Sequence, residues 1–308
     1  MIQTKGLTKK FKELRAVDNL SLSIGRGEIF GFLGLNGAGK TTTIRLLLAM
    51  LTPTSGHCYL QGRRVDAGKP DIWRDVGYIV ETPPAYPELT VRENLQIMGQ
   101  LRGITGRGPV QDIIKKLGLR DQAAKKAKHL STGNRQRLGL AKALIHKPKI
   151  LLLDEPTNGL DPAGIIEIRH LLRDLSNNHG VTILMSSHKL DEISRVSTQI
   201  GIIHQGQLIK QMRTGELDEQ LHKTLLVDAH DKKAAKSILS RAGLQGKIKT
   251  GDSGVLEIRQ EKAVQHPEAV ATLLCNAGHP PTLLKVKQEN LEMYFMRLIK
   301  ESEASTDA

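Results

Sequence analysis

The first 215 residues alternate short apolar runs with longer segments of helical periodicity. Short apolar runs bounded by turn residues are typical of strands in a parallel sheet, and the helical segments between them are typical of its crossover connections. The pattern predicts an α/β domain with a mainly parallel sheet over residues 1–215. We expect strands at Glu28–Leu33, Asp75–Val80, Ile150–Leu153, Val181–Ser186 and Ile200–Ile203, and a helix over Thr42–Met50.

A long helical segment separates the second and third predicted strands. Thr90, with Glu93 three residues later, has the pattern of a capping box and predicts a helix that starts there. From there to about Leu144 the periodicity is helical, with breaks at Gly103–Pro109 and Ser131–Gly133. We therefore expect a helical subdomain over about residues 82–145, inserted into the sheet domain.

The composition changes near Gly215, where a second domain is expected. Residues 216–308 alternate strand-like and helix-like segments, which predicts a small α+β accessory domain without recognisable chemistry. The last eight residues are expected to fray. The predicted segments are strands at Leu225–Val227, Val255–Ile258 and Leu284–Lys287, and helices at Asp231–Ala242, Pro267–Asn276 and Asn290–Lys300.

The chain is basic, and its net charge indicates which classes of molecule it could bind. It carries 45 Lys and Arg against 32 Asp and Glu, a net charge of +13, and the positive charges are dispersed. Such an excess favours nucleic acid, an anionic membrane face or phosphorylated ligands. Single-stranded nucleic acid is bound by stacking on aromatic side chains, and this chain has four Phe, four Tyr and one Trp. We therefore expect no nucleic-acid partner.

Hydropathy and cysteine content suggest a cytoplasmic protein. No run approaches the roughly 18 apolar residues of a membrane-spanning helix, and the N-terminus has no apolar segment of signal-peptide length. The two cysteines, Cys58 and Cys275, exclude a disulfide scaffold and are expected to be buried thiols.

A phosphate-binding loop is predicted between the first strand and the first helix. Residues 34–41 read GLNGAGKT and match the pattern G-x-x-x-x-G-K-[ST]. Its three glycines let the backbone N–H groups point at phosphate oxygens. Lys40 would reach the β- and γ-phosphates, and the Thr41 hydroxyl would bind Mg²⁺. The helix near Thr42 adds its N-terminal dipole.

Two acidic residues follow the buried strand Ile150–Leu153. Asp154 and Glu155 would lie at the carboxyl end of this strand, where ligands bind in open α/β sheets. Asp154 would hold Mg²⁺, and Glu155 would polarise the attacking water. Acidic residues also occur where a strand ends at the solvent and has no function there. The phosphate loop nearby favours the functional interpretation.

Two further residues are ambiguous from the sequence alone. Ser131, in the segment LSTGN, suits the N-cap of an ordinary helix, and the sequence alone favours this structural role over a binding role. His188 follows a predicted strand that ends near the other strand ends, so a catalytic and a structural role stay equally open.

Taken in order, these elements resemble the ATP-binding-cassette (ABC) ATPases over residues 1–215. GLNGAGKT is similar to their Walker A motif, ILLLDEP to Walker B, LSTGN to the signature LSGGQ, and Gly159-Leu160-Asp161 to the D-loop. The resemblance implies that His188 is the switch histidine and that a second cassette supplies Ser131 and Gly133 to the nucleotide. The nucleotide-binding residues that it implies are Phe11, stacked on adenine, with Gly34, Asn36, Gly37, Ala38, Gly39, Lys40, Thr41, Thr42, Ser131, Gly133 and Asp161.

The sequence departs from the family pattern in two places. In the signature, Thr132 replaces the first glycine and Asn134 replaces glutamine, while Ser131 and Gly133 are retained. Glu81 stands where the family usually has glutamine. The resemblance implies a metal set of Thr41, Glu81 and Asp154, with Glu81 also taking part in catalysis. This glutamate and the C-terminal domain resemble lantibiotic-immunity and bacitracin-type exporters.

The resemblance implies a cassette that binds and hydrolyses ATP with Mg²⁺, as a homodimer or heterodimer closed across ATP. It would serve separate membrane permease subunits from the inner face of the membrane and power export, for instance of a peptide antibiotic or another drug. Two alternatives stay open: a non-transport ABC ATPase acting on nucleic acid or ribosomes, and a nucleotide-binding regulator that does not hydrolyse ATP. A zero ATPase rate with tight ATP binding would favour the regulator.

Overall fold

The chain folds into two compact units, Met1–Gly215 and Glu216–Ala308. The structure, a computed structural model, describes residues 1–306 except 82–84, 105, 107, 245–247 and 251–253. The expected start of the helical subdomain at residue 82, part of the expected break at residues 103–109 and the last two residues of the tail lie outside the described residues.

The first unit contains ten strands and six α-helices among its described residues. The strands are β1 (Ile2–Phe11), β2 (Leu14–Ile24), β3 (Ile29–Leu33), β4 (Ser55–Leu60), β5 (Arg63–Arg64), β6 (Val76–Ile79), β7 (Ile150–Leu153), β8 (Thr182–Ser187), β9 (Gln199–His204) and β10 (Gln207–Arg213). The helices are α1 (Lys40–Leu47), α2 (Val91–Leu101), α3 (Gly108–Lys116), α4 (Thr132–Leu144), α5 (Pro162–Asn177) and α6 (Leu190–Ser194).

A six-stranded sheet in the order β10-β9-β3-β8-β7-β6 forms the centre of this unit. All neighbours are parallel except β10, which pairs antiparallel with β9 at the edge. Strand β7 is buried on both faces, with Ile150 and Leu152 in one core cluster and Leu151 and Leu153 in the other. Burial on both faces explains its uninterrupted apolar sequence. The carboxyl ends of β3, β7 and β8 therefore meet at one edge.

The first unit also holds an antiparallel sheet, in addition to the expected sheet that is mainly parallel. Its order is β2-β1-β4-β5. Strand β2 alternates exposed and buried positions, with Leu20, Leu22 and Ile24 facing the core. A half-buried strand has period two and polar residues on its open face, so it lacks the continuous apolar runs on which the prediction rested.

The inserted region contains three α-helices but is not helical throughout. Helix α2 begins with the expected capping box, in which Thr90 Oγ1 accepts from the Glu93 amide and Glu93 Oε2 accepts from the Thr90 amide. Between α3 and α4, however, the chain forms turns and two short 3₁₀ segments, Arg120–Gln122 and Ala127–His129. Gly118, at φ +64°, ends the α-helical backbone, which corrects the expected continuous helix.

The second unit is an α+β fold around a four-stranded antiparallel sheet of order β12-β13-β11-β14. Its strands are β11 (Lys223–Ala229), β12 (Ile248–Thr250), β13 (Leu256–Ile258) and β14 (Pro281–Gln288), and its α-helices are α7 (Leu217–Gln220), α8 (Lys232–Leu239), α9 (Glu261–Gln265), α10 (Pro267–Asn276) and α11 (Leu291–Thr306). Leu225, Val227, Leu239 and Leu274 are part of its core.

One expectation for a single residue is wrong, and the fraying expected of the tail stays a prediction. Helix α11 continues to Thr306, so the segment expected to fray overlaps the end of this helix. Cys58 is buried as expected, whereas Cys275 is exposed near the end of α10 because it lies on the side of the helix away from Val270 and Leu274. Over the described residues, no helix combines the length and apolar character needed to cross a bilayer.

Candidate nucleotide-binding site

The loop from Gly34 to Gly39 connects β3 to α1 in tightly packed surroundings. A Cβ atom on Gly34 would lie 2.7 Å from the carbonyl oxygen of Ile203, and one on Gly39 would lie 2.3 Å from that of Ala16. Gly39 has φ +107° and Gly37 has φ +82°, conformations that favour glycine. Because Gly39 caps α1 without a side-chain hydrogen bond, the first N–H groups of the helix stay available to an anion.

Lys40, the first residue of α1, points its ammonium group into this loop. Its Nζ donates to the carbonyl oxygens of Gly34 at 2.7 Å and Leu35 at 3.1 Å, and only 7% of the residue is exposed. Burial lowers the pKa of Lys40, and the carboxylates of Glu155 and Asp154 oppose that shift. The loop therefore presents a cation beside free helix N–H groups, which is an arrangement for binding phosphate.

Asp154, directly after β7, is held in a fixed orientation by two hydroxyl groups. Thr41 Oγ1 donates to Asp154 Oδ2 at 2.7 Å, and Ser186 Oγ donates to Asp154 Oδ1 at 2.5 Å. Ser186 also accepts from the Glu155 amide at 3.0 Å and is fully buried. The sequence assigned no role to Ser186. Its contact with Asp154 follows from the register of β7 and β8, which pairs Leu153 with Met185 and so places the next two residues side by side.

Glu155 lies between a lysine and a histidine. Both of its carboxylate oxygens are 3.1 Å from His188 Nδ1, and Oε1 is 3.9 Å from Lys40 Nζ. The Glu155 backbone has φ +49°, a conformation that costs a residue with a side chain about 1 kcal/mol or more. The structure thus brings together Lys40, Glu155 and His188, which the sequence named separately, and orients the carboxylate towards the phosphate loop.

Glu81 lies two residues after β6, the strand that neighbours β7, and its carboxylate forms an ion pair. Arg45 Nη2 on α1 donates to Glu81 Oε1 at 2.6 Å. The end of β6 adjoins that of β7, because the Asp154 amide donates to Ile79 O at 2.8 Å. Within the described residues, no cluster of three or more His, Cys, Asp or Glu side chains is arranged to hold a metal ion. Thr41, the last residue of the phosphate loop, and Asp154 place a hydroxyl and a carboxylate oxygen in direct contact.

The signature segment and the D-loop pack against each other. Ser131 caps α4, where its Oγ accepts from the Asn134 amide at 3.2 Å, and Asp161 caps α5 by accepting from the Gly164 amide at 3.0 Å. A Cβ on Gly133 would lie 3.2 Å from Gly159 O, and one on Gly159 would lie 2.5 Å from Thr132 Cγ2. In the described part of the chain, no hydrogen bond joins this segment to the phosphate loop.

The remaining predicted nucleotide-binding residues lie in the loop, on α1 and at the end of β1. Phe11 ends β1 with 44% of its surface exposed, and the Lys9 ammonium lies 5.1 Å from its ring centroid. Strand β2 contacts the loop, since Ala16 O lies beside Gly39. Asn36 is exposed at the tip of the loop, Ala38 is buried, and Thr42 is half-buried on α1.

The fold and the site define a phosphate-loop nucleotide-binding protein with its acidic residues at the ends of parallel strands. Residues 17–158 match the family described as ABC transporter. The chain is 36% identical to the bacitracin transport ATP-binding protein BcrA of Bacillus licheniformis over 299 residues, covering 97% of each chain. The chain belongs to the ATP-binding proteins of ABC transporters and is an ATPase subunit of that family.

Two further relatives support the fold and the activity. The chain is 35% identical to the lantibiotic transport ATP-binding protein SrtF of Streptococcus pyogenes over 209 residues, covering 68% of this chain and 89% of that one. A bacterial ABC transporter cassette solved as a dimer has a TM-score of 0.65 and 25% identity over 70% of this chain and 99% of its own. The predicted ABC-type fold and ATPase activity are therefore confirmed.

Proposed function

We propose that the chain hydrolyses ATP with Glu155 as the residue that activates the attacking water. The observation that carries the proposal is the position of its carboxylate, 3.1 Å from His188 Nδ1 and 3.9 Å from Lys40 Nζ. With a proton on Nδ1, His188 donates to the carboxylate and orients it. As ATP enters, Lys40 would exchange its two loop carbonyls for phosphate oxygens, and Glu155 would accept a proton from the water.

The donors beside the phosphate loop fit Mg²⁺. A hydroxyl and a carboxylate, those of Thr41 and Asp154, lie 2.7 Å apart, and Mg²⁺ prefers such oxygen ligands, in small number, together with phosphate oxygens. Bound Mg²⁺ would supply charge stabilisation to the β- and γ-phosphates. Ser186 fixes the second oxygen of Asp154, which keeps the first directed at Thr41. Glu81 is the third proposed ligand.

Two copies of the cassette, or this cassette and a homologue, would close across ATP. One would bind the nucleotide through Phe11 and the phosphate-loop residues Gly34, Asn36, Gly37, Ala38, Gly39, Lys40, Thr41 and Thr42, and the other would contribute Ser131, Gly133 and Asp161. This arrangement is supported by a similar bacterial ABC transporter cassette that was solved as a dimer. A similar cassette in its post-hydrolysis state, bound to ADP and Pi, is also dimeric.

The partner would be a membrane permease, docked in a groove of the cassette. The groove, about 860 Å³ in volume, is bordered by the end of α1, the 3₁₀ segment before β6, and the end of α2. Leu101 at its edge is 74% exposed, and Met50 and Tyr78 are also exposed. Apolar side chains exposed together mark an interaction surface, here one suited to an apolar segment of a membrane subunit.

The cassette would act at the inner face of the membrane and power export of a peptide antibiotic. Near-full-length similarity to bacitracin transport proteins of two species supports this substrate class. The test is co-purification of the tagged chain with the permease subunits of a bacitracin exporter. Leu101→Glu should abolish it, whereas Met293→Glu, at an exposed apolar residue of the other unit, should not. Equal recovery of both variants would contradict docking in this groove.

The dimer has its own test in light scattering. With ATP and Mg²⁺, Glu155→Gln should bind nucleotide without hydrolysing it and double its mass, because the closed state cannot reopen. Lys40→Ala, which loses the phosphate contact, should stay a monomer. A Glu155→Gln chain that binds ATP and remains monomeric would contradict closure between two copies of this chain and would leave a homologue as the second cassette.

A further inference from the structure

The ion pair of Arg45 and Glu81 has no part in the hydrolysis steps above. Its N···O distance is 2.6 Å, and 37% of the arginine and 62% of the glutamate side chain are exposed. Within the part of the chain that the structure describes, Arg45 is the partner of this carboxylate. Glu81 has φ +55°, a left-handed backbone that is uncommon for residues with side chains. A left-handed turn at the end of β6 therefore carries the carboxylate that meets Arg45.

The pair is one of three contacts that connect α1 with the ends of β7 and β6 near the proposed metal position. Thr41 and Arg45 are four residues apart on α1 and so share a face of the helix. Thr41 donates to Asp154 at 2.7 Å, and the Asp154 amide donates to Ile79 O at 2.8 Å, two residues before Glu81. The last contact is that of Glu81 with Arg45, which lies four residues along α1 from Thr41 and, as a cation, is not itself a metal ligand.

The Arg45 guanidinium and a bound dication would compete for the Glu81 carboxylate. The Glu81 carboxylate adds to the negative charge of Asp154 and Glu155, and the Arg45 guanidinium offsets it while no metal is bound. A dication held by Thr41 and Asp154 attracts the same carboxylate and repels the guanidinium. An uncharged glutamine, which the family usually has at this position, would make no ion pair and so would not compete for the arginine.

We propose that Arg45 is a positioning residue that holds the Glu81 carboxylate in the metal-free cassette and releases it towards Mg²⁺ when Mg²⁺ and ATP bind. The proposal rests on the proposed function, because it requires Thr41 and Asp154 to hold the metal. Glu81 follows β6, so exchange of its partner changes the contact between α1 and the end of that strand. Arg45 thereby sets how strongly bound metal recruits this carboxylate.

The test measures binding rather than turnover. The affinity for AMP-PNP is determined by calorimetry with Mg²⁺ and with EDTA, and the ratio of the two affinities reports metal binding at the site. Arg45→Gln should raise this ratio about two- to fivefold, the range expected when one exposed ion pair no longer competes. Arg45→Lys, which keeps the cation, should stay close to wild type. Thermal unfolding checks that each variant is folded.

Two further variants separate this effect from loss of charge alone. Arg74→Gln removes the arginine of an exposed ion pair with Asp71 and should leave the ratio unchanged. In a Glu81→Gln background, Arg45→Gln should lose most of its effect, because the carboxylate for which arginine and metal compete is gone.

The outcomes also separate this proposal from the proposed function. A wild type that responds to Mg²⁺ beside an Arg45→Gln variant with an unchanged or lower ratio would overturn the role of Arg45 alone. An equal effect with and without the Glu81 carboxylate would overturn it as well. A wild type whose AMP-PNP affinity does not respond to Mg²⁺ would overturn the metal site itself.

Discussion

Acid should destabilise the first unit through one half-buried histidine. His146 Nε2 lies 3.0 Å from Val76 O and donates to it in the neutral ring, whereas its Nδ1 is buried without a hydrogen-bond partner. A second proton would go to Nδ1, and the Arg102 guanidinium, which donates to the same Val76 O at 3.3 Å, would repel the resulting positive charge. Burial, together with Arg102 and against the weaker opposing effects of Val76 and Asp75, lowers the pKa of His146 from 6.5 to about 4.

The direction and size of the effect follow from these values. Because the folded pKa lies below the unfolded one, the unfolded chain takes up the proton first as the pH falls, so stability is lost between about pH 6.5 and pH 4. A difference of 2.5 units amounts to roughly 3 kcal/mol once both states are protonated, and about 2 kcal/mol of it is lost by pH 5.

The assay compares urea unfolding at pH 7.5 and pH 5 for wild type and His146→Gln. The glutamine does not titrate, so the variant should lose about 2 kcal/mol less than wild type over this interval. The matched control, His230→Gln, removes an exposed imidazole from the other unit and should leave the acid sensitivity of the first unit in place. Equal losses in wild type and His146→Gln would refute the reasoning.

Three further single substitutions, the last with a compensating second change, test the phosphate loop, the Asp154 anchor and the D-loop. Lys40→Ala removes the ammonium group proposed to bind phosphate, so ATP affinity should fall at least about tenfold in calorimetry, the effect of one charged hydrogen bond. Ser186→Ala takes a donor from the buried Asp154 carboxylate and should lower the free energy of unfolding by about 1–3 kcal/mol and also lower kcat; an unchanged urea midpoint would argue against this anchor. Gly159→Ala would place its Cβ 2.5 Å from Thr132 Cγ2 and should lower ATPase activity, and Thr132→Gly should restore part of it. No recovery in the double variant would show that backbone strain at φ +75°, rather than this contact, limits activity.

Structural features that depend on residues close together in the sequence were predicted well. Strand β7 has the expected bounds because burial on both faces requires an unbroken apolar run. The capping box at Thr90 and the phosphate loop also depend on residues a few positions apart, whose types are fixed by local backbone geometry. The positions of Asp154 and Glu155 at a strand end followed from the same local pattern.

Features that depend on pairing between distant segments were missed or incomplete. Strands β1 and β2 are half-buried, so β1 carries lysine and threonine, β2 carries serine and asparagine, and both give a weaker apolar signal. The contact of Ser186 with Asp154 depends on the register of β7 and β8. Likewise, Glu81 could be identified from the sequence, but its partner Arg45 could not. The two residues lie 36 positions apart and meet only after α1 has packed beside the end of β6.

The most direct test of the account is Mg²⁺-dependent ATP hydrolysis by the purified chain, with Glu155→Gln measured alongside. If Glu155 activates the attacking water, the variant should bind ATP as wild type does and hydrolyse it at least about a hundredfold more slowly, the usual contribution of a positioned base. Hydrolysis at the wild-type rate by Glu155→Gln would contradict the assigned role of Glu155. Tight ATP binding by a wild type that does not hydrolyse it would contradict the proposed hydrolysis and favour a nucleotide-binding regulator.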